Sequence, residues 1–214
     1  MLKRVAILGA GDLGLQIAHH LADADGLRCA GFFDDTRTAG EEVFGLPVLG
    51  PLAEVRACHG DGAFDALLIG IGYRHMALRN RLYAELSPHI PFATLVHPSA
   101  HVDRTCRVGH GTVVYPGCVL DQHASIGANV LLNIGCVVAH HSSVGAGSFL
   151  SPAVKIAGFV HVDAGVTLGL GTAVIDNVTI ASGVRTGAGA VVIGNLVEPG
   201  LYVGVPARLK RTDA

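Results

Sequence analysis

The 214-residue chain has no tryptophan, little charge and no long apolar run. Lysine and arginine (15) nearly balance aspartate and glutamate (17), and without a basic excess nucleic acid is not an expected partner. Half of the residues are hydrophobic, yet no stretch approaches the roughly 18 apolar residues of a membrane span, so we expect no membrane insertion. The five cysteines are odd in number and widely spaced, which argues against a disulfide framework and favours a reducing, cytoplasmic location.

What the chain does have is a six-residue repeat in its second half. Sixteen positions share one register, and all but Thr186 are aliphatic: Val102, Val108, Val114, Leu120, Ile126, Leu132, Val138, Val144, Leu150, Ile156, Val162, Leu168, Val174, Ile180, Thr186 and Val192. A small or β-branched residue lies two positions before each of them, facing the same side, and glycine or asparagine is common three positions after. This pattern predicts an all-β parallel β-helix, with three six-residue faces in each coil and about five coils. Cys106, Cys118 and Cys136 take the small inward position, where we expect them to pack.

Strands and helices alternate in the first part of the chain, which predicts a parallel, doubly wound α/β sheet. The predicted strands are 5–8, 29–33, 66–69 and 92–96, and the predicted helices are 15–22 and 75–86. At this length the segment is a Rossmann-like half domain, closer to one mononucleotide-binding half than to a full dinucleotide fold. Pro98 favours an extended backbone at His97, so we place a nucleotide-binding domain at 1–96 and the β-helix domain with its C-terminal tail at 97–214.

A glycine-rich turn joins the first predicted strand to the first helix. Gly9, Gly11 and Gly14 match Gly-x-Gly-x-x-Gly, in which a tight turn brings backbone amides and a helix N-terminus to a phosphate. Asp34 ends the second strand and could accept hydrogen bonds from a ribose, and Gly72 ends a strand that faces the same crevice. The turn predicts a nucleotide site, with a packing-only turn as the alternative. The short segment favours one nucleoside with a diphosphate, such as a nucleotide-linked sugar, over NAD.

The histidines of the β-helix are the candidates for acid–base chemistry. His140 lies late in a coil beside a corner and could act as a general base, although an ordinary surface or interface histidine is the alternative. His123 and His141 are separated by three repeats, which make one full coil, so they should stack on adjacent coils. Such a pair could form half of an interfacial metal site, but no third ligand has a suggestive spacing, and we predict no metal.

Together these segments resemble the bacterial nucleotide-sugar acetyltransferases, a group that includes sialic acid O-acetyltransferases, perosamine N-acetyltransferases and bacillosamine-pathway N-acetyltransferases. The matching segments are collinear and span nearly the whole chain: Gly9-Ala10-Gly11, Phe33-Asp34-Asp35, Ile71-Gly72, His97-Pro98-Ser99-Ala100, Leu132-Asn133, Val138-Ala139-His140, Lys155-Ile156-Ala157-Gly158 and Val203-Gly204-Val205-Pro206-Ala207. The resemblance implies a left-handed β-helix and a homotrimer. It also implies acetyl-CoA as co-substrate in a cleft between neighbouring β-helices and a nucleotide sugar on the N-terminal domain.

The resemblance further implies roles for individual residues. His140 takes the place of the catalytic histidine, with Asn133 and His141 near it. The implied nucleotide-sugar contacts are Gly9, Gly11, Asp12, Leu13, Asp34, Asp35 and Gly72. The implied acetyl-CoA contacts are Phe149, Gly158, Leu170, Ala188 and Pro206.

Three positions depart from the pattern of the group. His141 stands where some members have an acidic residue that makes the catalytic histidine more basic. Phe149 and Leu13 stand where some members have histidines that contact the cofactor and the sugar phosphate. These departures bear on substrate and affinity rather than on the class of reaction.

The expected activity is therefore N-acetylation of a nucleotide-linked amino sugar, a 4-amino-4,6-dideoxyhexose, for surface polysaccharide such as the lipopolysaccharide O-antigen, or for another glycan. The alternatives are O-acetylation of a sialic acid-type sugar, an NAD-dependent oxidoreductase with an appended β-helix scaffold, and a non-catalytic assembly scaffold. The sequence leaves the nucleotide base open among UDP, dTDP and GDP.

Overall fold

The computed structural model describes residues 2–212. The chain forms two compact units, the first extending to His97 and the second beginning at Pro98. No helix within the described residues is long and apolar enough to cross a membrane.

The first unit is built on a five-stranded sheet with the strand order β3-β4-β2-β1-β5. Its strands and helices are β1 (Lys3–Leu8), α1 (Asp12–Leu21), β2 (Leu27–Phe33), β3 (Glu42–Val43), β4 (Leu46–Gly50), α2 (Val55–Gly60), β5 (Ala66–Ile69), α3 (Met76–Leu86) and β6 (Leu95–Val96), with single 3₁₀ turns at Leu52–Glu54 and Tyr73–His75. All pairs in this sheet are parallel except the hairpin β3–β4. The central strand β1 is fully buried from Val5 onward, as expected for a strand covered on both faces.

Three elements of this unit were not predicted, and one predicted strand is shorter in the structure than expected. Only Leu95–Val96 of the predicted strand 92–96 is a strand, while Phe92 forms a single parallel bridge to Leu67. The hairpin β3–β4 and the helix α2 are additional. The hairpin turns through two residues with positive φ, Phe44 (53°) and Gly45 (73°), which is the geometry of a type I′ turn. A phenylalanine is an unusual residue at such a turn, and for this reason the hairpin has only a weak signal in the sequence.

The second unit is a three-sided parallel β-helix, as the six-residue repeat predicts. Face A has the strands β7 (His101–Val102), β10 (Val119–Leu120), β13 (Val137–Val138), β16 (Lys155–Ile156), β19 (Ala173–Val174) and β22 (Val191–Val192). Face B has β8 (Arg107–Val108), β11 (Ser125–Ile126), β14 (Ser143–Val144), β17 (His161–Val162) and β20 (Thr179–Ile180). Face C has β9 (Val113–Val114), β12 (Leu131–Leu132), β15 (Phe149–Leu150), β18 (Thr167–Leu168), β21 (Val184–Thr186), β23 (Gly200–Val203) and β24 (Arg208–Thr212), of which β24 pairs antiparallel with β23.

The register of the coils confirms the predicted spacing. Val119 pairs with Val137 and Leu120 with Val138, so each strand lies beside the strand that follows it by three repeats. From Val114 to Val192 every position of the predicted inward set is buried. The parallel coils fit a left-handed β-helix of the kind that the resemblance implies.

Thr186, the polar exception in the inward set, is satisfied inside the coil. Its hydroxyl accepts a hydrogen bond from the Gly169 amide (2.9 Å) and lies 2.7 Å from the Thr172 hydroxyl. Thr172 in turn donates to the Gly169 carbonyl (2.8 Å). With Thr186 donating to Thr172, the three residues form a closed ring of hydrogen bonds that removes the cost of burying two hydroxyl groups.

The inward cysteines pack as predicted, and each also donates a hydrogen bond to the neighbouring coil. Their thiols reach the carbonyl oxygen of a residue on the next coil, at 3.0 Å for Cys106 and Asp121, 3.1 Å for Cys118 and Asn133, and 3.3 Å for Cys136 and Ser151. The Cys118 thiol beside it, together with burial, raises the pKa of Cys136 above its ordinary value. Cys136 therefore stays a neutral thiol and is a poor nucleophile.

Candidate active site

The corner between faces A and B carries His140, and the residue beneath the histidine is a glycine. Gly158 lies one coil further on, and a Cβ added to it would lie 2.6 Å from Cε1 and 2.8 Å from Nε2 of His140. Any side chain at position 158 would therefore collide with the imidazole. The absence of a side chain creates the space in which the half-buried His140 ring rests.

His141 belongs to a column of rings at the same corner. Its ring lies 4.9 Å from the ring of His123 and 5.0 Å from that of Phe159, with which it stacks at an interplanar angle of 19°. His123, His141 and Phe159 all have φ of 57–59°, in the left-handed region that bulky residues seldom adopt. The predicted stacking of His123 and His141 on adjacent coils is confirmed, and Phe159 extends it by one coil.

The rings of His140 and His141 approach each other through their Nδ1 atoms. Nδ1 of His140 lies 3.3 Å from Nδ1 of His141, so one of the two nitrogens carries a hydrogen and donates a hydrogen bond to the other. If His140 donates, its Nε2 holds a free lone pair and can take a proton from a reacting group. The ring of Phe159 meets His140 edge to face at 5.2 Å and limits its rotation. This arrangement suits a general base whose tautomer is fixed by a neighbour.

Three other predicted residues lie across face A from His140, at the corner between faces C and A. Asn133 immediately precedes this corner, and its side-chain oxygen accepts a hydrogen bond from the amide of Ile134 (2.8 Å). Leu170 and Ala188 lie at the same corner on successive coils, and both are exposed. Asn133 and His140 thus lie at opposite ends of one face of the same coil.

Face A itself offers an apolar surface between these two corners. Its inward residues are the repeat aliphatics, so the preceding residue of each strand faces outward. Val119, Val137, Ala173 and Val191 are exposed or half-buried there, with Lys155 as the charged member of the row. At the C-terminal end lies a cavity of about 350 Å³ lined by Ile193, Gly194, Asn195, Leu196, Tyr202, Ala207, Arg208 and Leu209, next to the predicted contact Pro206. The sequence reasoning did not single out Arg208, a cation at this cavity.

Phe149 does not join this group. It lies on face C, in β15, and only 4% of its surface is exposed. Within the described fold its ring offers almost no surface to a ligand. Of the five predicted acetyl-CoA contacts, Gly158, Leu170 and Ala188 border face A and Pro206 lies next to its terminal cavity.

In the first unit the predicted glycine turn lies where three strands end. Gly9 follows β1 with φ of 103°, which favours glycine, and its amide donates to the carbonyl of Phe33 (2.8 Å). A Cβ at Gly14 would overlap the carbonyl of Gly9, and one at Gly70 would lie 2.5 Å from the Cα of Gly14. Gly14 and Gly70 are thus needed for close packing between the turn, α1 and the end of β5.

Gly11 and Gly72 are glycines of a different kind. A Cβ at either position would meet nothing within 4 Å, and neither has φ in the left-handed region. Gly11 is the N-cap of α1, whose first turn contains the exposed Asp12 and the half-buried Leu13. Gly72 precedes the 3₁₀ turn after β5. Fold packing does not require glycine here, and the open space above both residues is available to a ligand.

The two aspartates at the end of β2 are already engaged within the protein. Asp34 accepts hydrogen bonds from the Ala10 amide (2.7 Å) and from the amide and hydroxyl of Thr36 (2.8 and 2.6 Å). Burial alone would raise the pKa of Asp34, but the hydrogen bonds from Thr36 and Ala10 lower it below its ordinary value. Asp35 accepts a hydrogen bond from the amide of Leu52 (2.8 Å). Asp34 therefore fixes the glycine turn to the end of β2, a role that the sequence did not suggest.

Arg79 is a buried residue that the sequence reasoning missed. It is fully buried in α3, and its guanidinium donates to the carbonyls of Ile69 (2.7 Å) and Ile71 (3.3 Å). These carbonyls flank Gly70 and precede Gly72, so Arg79 holds the end of β5 in place through hydrogen bonds from α3. The signal was present in the sequence, since Arg79, Leu82 and Leu86 form one helical face and the arginine takes a core position.

Three polar side chains, Ser143, His161 and Asp163, are in contact with one another on face B. The hydroxyl of Ser143 lies 2.6 Å from Nδ1 of His161, and Nε2 of His161 lies 3.0 Å from Asp163. The side chain of His161 is 60% exposed, so water competes with both contacts. For that reason we assign these three side chains no catalytic role.

No protein-family model and no curated protein matches the chain, but solved structures do. A variant of GDP-perosamine N-acetyl transferase from Caulobacter crescentus, in complex with CoA and GDP-perosamine, is 32% identical, with a TM-score of 0.91 over 99% of this chain and 98% of its own. PerB from the same organism, in complex with the same two ligands, is 32% identical, with a TM-score of 0.90 over 99% of both chains. The acetyltransferase domain of PglB from Neisseria gonorrhoeae, in complex with acetyl coenzyme A, is 26% identical, with a TM-score of 0.88 over 98% of this chain and 100% of its own.

Proposed function

This chain belongs to the sugar N-acetyltransferase family of its 32%-identical relatives, and we propose that it transfers an acetyl group from acetyl-CoA to the amine of a nucleotide-linked amino sugar. The acceptor that we propose is a 4-amino-4,6-dideoxyhexose. The observation that carries the proposal is the identity of 32% over nearly the full length of both chains with a protein that holds CoA and GDP-perosamine. The product would serve the synthesis of a surface polysaccharide or another glycan.

In the proposed reaction His140 is the general base. The amine nitrogen attacks the thioester carbonyl, and Nε2 of His140 takes the proton that the nitrogen loses as the amide bond forms. The carbon–sulfur bond then breaks, and CoA leaves as the thiolate, which takes up a proton. Backbone amides of the coils would stabilise the oxyanion of the tetrahedral intermediate. The transfer is direct and has no acyl-enzyme, in agreement with the buried, neutral thiol of Cys136.

We propose that His141 is a positioning residue for His140. Its ring is held between His123 and Phe159, and its Nδ1 faces Nδ1 of His140 at 3.3 Å. By accepting a hydrogen bond from Nδ1–H of His140, it would keep the lone pair on Nε2 of His140, where the substrate amine reacts. A neutral imidazole that accepts at Nδ1 favours this tautomer of His140 but supplies no negative charge. His141 would thus replace the orienting function of an acidic residue without its electrostatic effect on the imidazolium.

We propose that acetyl-CoA lies along face A. This face is apolar, and His140 and Gly158 border it on one side while Leu170 and Ala188 border it on the other. The adenosine end would lie at the terminal cavity beside Pro206, where Arg208 supplies a positive charge for phosphate. Phe149 has no place in this arrangement, because it is buried on face C.

The nucleotide sugar is proposed to bind the first unit, which we interpret as a Rossmann-like half domain. Gly9, Gly11, Asp12 and Leu13 line the turn after β1, and Gly72 lies beyond β5, so the candidates share the carboxyl edge of one parallel sheet. The amides at the start of α1 would face the diphosphate. Asp34 holds the turn in shape, and the remaining lone pair of its carboxylate, together with Asp35, would meet the nucleoside.

We also propose that the chain forms a homotrimer in the cytoplasm. Several large apolar side chains at the corners and edges of the β-helix are about half exposed: Ile134 (52%), Phe159 (55%), Leu170 (53%), Ile175 (46%) and Ile193 (51%). Rows of this kind are typical of surfaces that other subunits cover. Light scattering after size-exclusion chromatography would give three chain masses, and a monomer would contradict the proposal.

The activity is tested by incubating the protein with acetyl-CoA and GDP-, UDP- or dTDP-linked 4-amino-4,6-dideoxyhexoses. Release of CoA and a mass gain of one acetyl group are the expected results. Brief treatment with alkali then separates the products, because an amide survives and an ester is cleaved. An alkali-labile product on a sialic acid-type acceptor would favour O-acetylation, and NAD-dependent redox chemistry in place of CoA release would contradict membership in the acetyl-transfer reaction class.

A further inference from the structure

We propose that the first unit contains a binding site for a divalent transition metal ion, formed by His19, His20, Asp23 and His97. The ligand atoms of His19, His20 and Asp23 all lie within 4.8 Å of one another. Nε2 of His97 lies 3.5 Å from Oδ2 of Asp23, and its ring meets that of His20 edge to face at 5.2 Å. Three imidazoles and a carboxylate therefore converge from two distant parts of the chain.

The end of α1 provides three of these ligands. His19 and His20 lie in its last turn, and the chain continues in a helical turn, in which the amides of Ala22 and Asp23 donate to the carbonyls of His19 and His20. Asp23 thus follows His19 by four residues and His20 by three, the spacings at which helical side chains are neighbours. The backbone brings both imidazoles to the same carboxylate.

The observed distances suit a tetrahedral ion after a small adjustment. Zinc binds histidine nitrogen and carboxylate oxygen at about 2.0–2.2 Å, which places neighbouring ligand atoms of a tetrahedron about 3.3–3.6 Å apart. His97 and Asp23 already have this separation. The ligand atoms of His19, His20 and Asp23, within 4.8 Å of one another, need movements of about 1 Å or slightly more, which side-chain rotation can supply because His19 and Asp23 are exposed.

The donor set defines the class of ion. Imidazole nitrogen suits zinc, copper, nickel and cobalt, whereas calcium and magnesium prefer oxygen ligands. The site contains no thiolate, so it selects borderline ions rather than copper(I). Four protein ligands leave no open position, which is the arrangement of a structural site. A bound ion would tie the end of α1 to His97, the last residue of the first unit.

The test uses the full chain without a histidine tag. Equilibrium dialysis against zinc, with the metal measured by mass spectrometry, is expected to give one ion per chain. Cobalt(II) is expected to give the intense visible absorption of a tetrahedral complex, and zinc is expected to raise the Tm by several degrees. His19→Ala and Asp23→Asn change exposed side chains, so both variants should fold, and each is expected to weaken zinc binding at least tenfold.

His89→Ala is the matched control, because His89 is an exposed histidine of the same unit outside the cluster. It should bind zinc and cobalt as the wild type does. The proposal is overturned if the wild type binds no zinc at micromolar concentrations. It is equally overturned if His19→Ala and Asp23→Asn bind as tightly as the control, since the ion would then be held elsewhere, for example by His123 and His141.

Discussion

Gly158 and His140 face each other on successive coils, and a single added carbon at Gly158 would come within 2.6 Å of the imidazole. The backbone at Gly158 lies outside the left-handed region, so the conformation itself does not require glycine. The position of the His140 ring does. The backbone of the coil would accept another residue at position 158, but the ring of His140 would not. This difference is evidence that the site, rather than the coil, requires glycine here.

Gly158→Ala is therefore expected to lower kcat by about tenfold to a hundredfold while the β-helix still folds. The methyl group displaces the imidazole by about 1 Å, and errors of that size in a reacting group cost on the order of 10² in rate. Steady-state kinetics and thermal unfolding measure the two effects. Gly60→Ala serves as control, because a Cβ there meets nothing within 4 Å. If Gly158→Ala has the activity of that control, the ring of His140 does not need its present position.

Substitution of His141 tests its positioning role. His141→Ala removes the Nδ1 contact at 3.3 Å and is expected to lower kcat about tenfold, with little change in KM for acetyl-CoA. Aspartate tolerates the left-handed backbone at this position and supplies a carboxylate. His141→Asp should therefore keep or raise kcat and move the acidic limb of the pH–rate profile to higher pH. A purely structural role for His141 predicts the opposite pattern, in which both variants lose stability and neither alters the profile.

The buried ring of hydrogen bonds around Thr186 leads to a prediction about stability. Thr186→Val restores the aliphatic repeat but leaves the amide of Gly169 and the hydroxyl of Thr172 short of a partner. We expect the free energy of unfolding to fall by about 1–3 kcal/mol, despite the greater apolarity of valine. Chemical unfolding followed by circular dichroism measures the change. A variant more stable than the wild type would show that the hydroxyl ring contributes nothing.

The ion pair between Arg4 and Asp65 makes the stability of the first unit depend on pH. Arg4 donates to Asp65 through its side chain and its amide (both 2.7 Å), and these bonds lower the pKa of Asp65 to about 2. An unfolded aspartate titrates near pH 4, so this contribution is present above about pH 4 and is lost as the pH falls to about 2. The Tm difference between wild type and Asp65→Asn should shrink across that window. A constant difference from pH 5 to pH 2 would contradict the assignment.

The β-helix was predictable from the sequence because, in a six-residue repeat, equivalent positions of every repeat have the same environment. Once Leu120 faces the axis, Val138 and Ile156 must face it too, since they occupy the same place on the next two coils. The same logic predicted the stacking of His123 on His141. It did not predict Thr186, whose burial depends on a hydrogen bond to Thr172 that no local pattern encodes.

The first unit and its site were less predictable, because their contacts join distant segments. Asp34 was expected to face a ribose, yet its carboxylate holds the turn at Ala10, a contact between two strand ends. Arg79 differs, because the helical pattern places it on the buried face of α3, and only its charge argued against a core position. The family resemblance implies an acetyl-CoA contact at Phe149, and the burial of this residue on face C became visible only with the fold.

The most direct test of the account is the acetyl transfer rate of His140→Ala beside that of Cys136→Ala, with acetyl-CoA and an amino-sugar nucleotide that the wild type acetylates. We predict that His140→Ala loses about 10²–10⁴ in kcat while it remains folded, and that Cys136→Ala keeps most of the activity. An alkali-stable acetylated product from the wild type completes the expected result. Turnover by His140→Ala at the wild-type rate would contradict the central claim that this imidazole is the base.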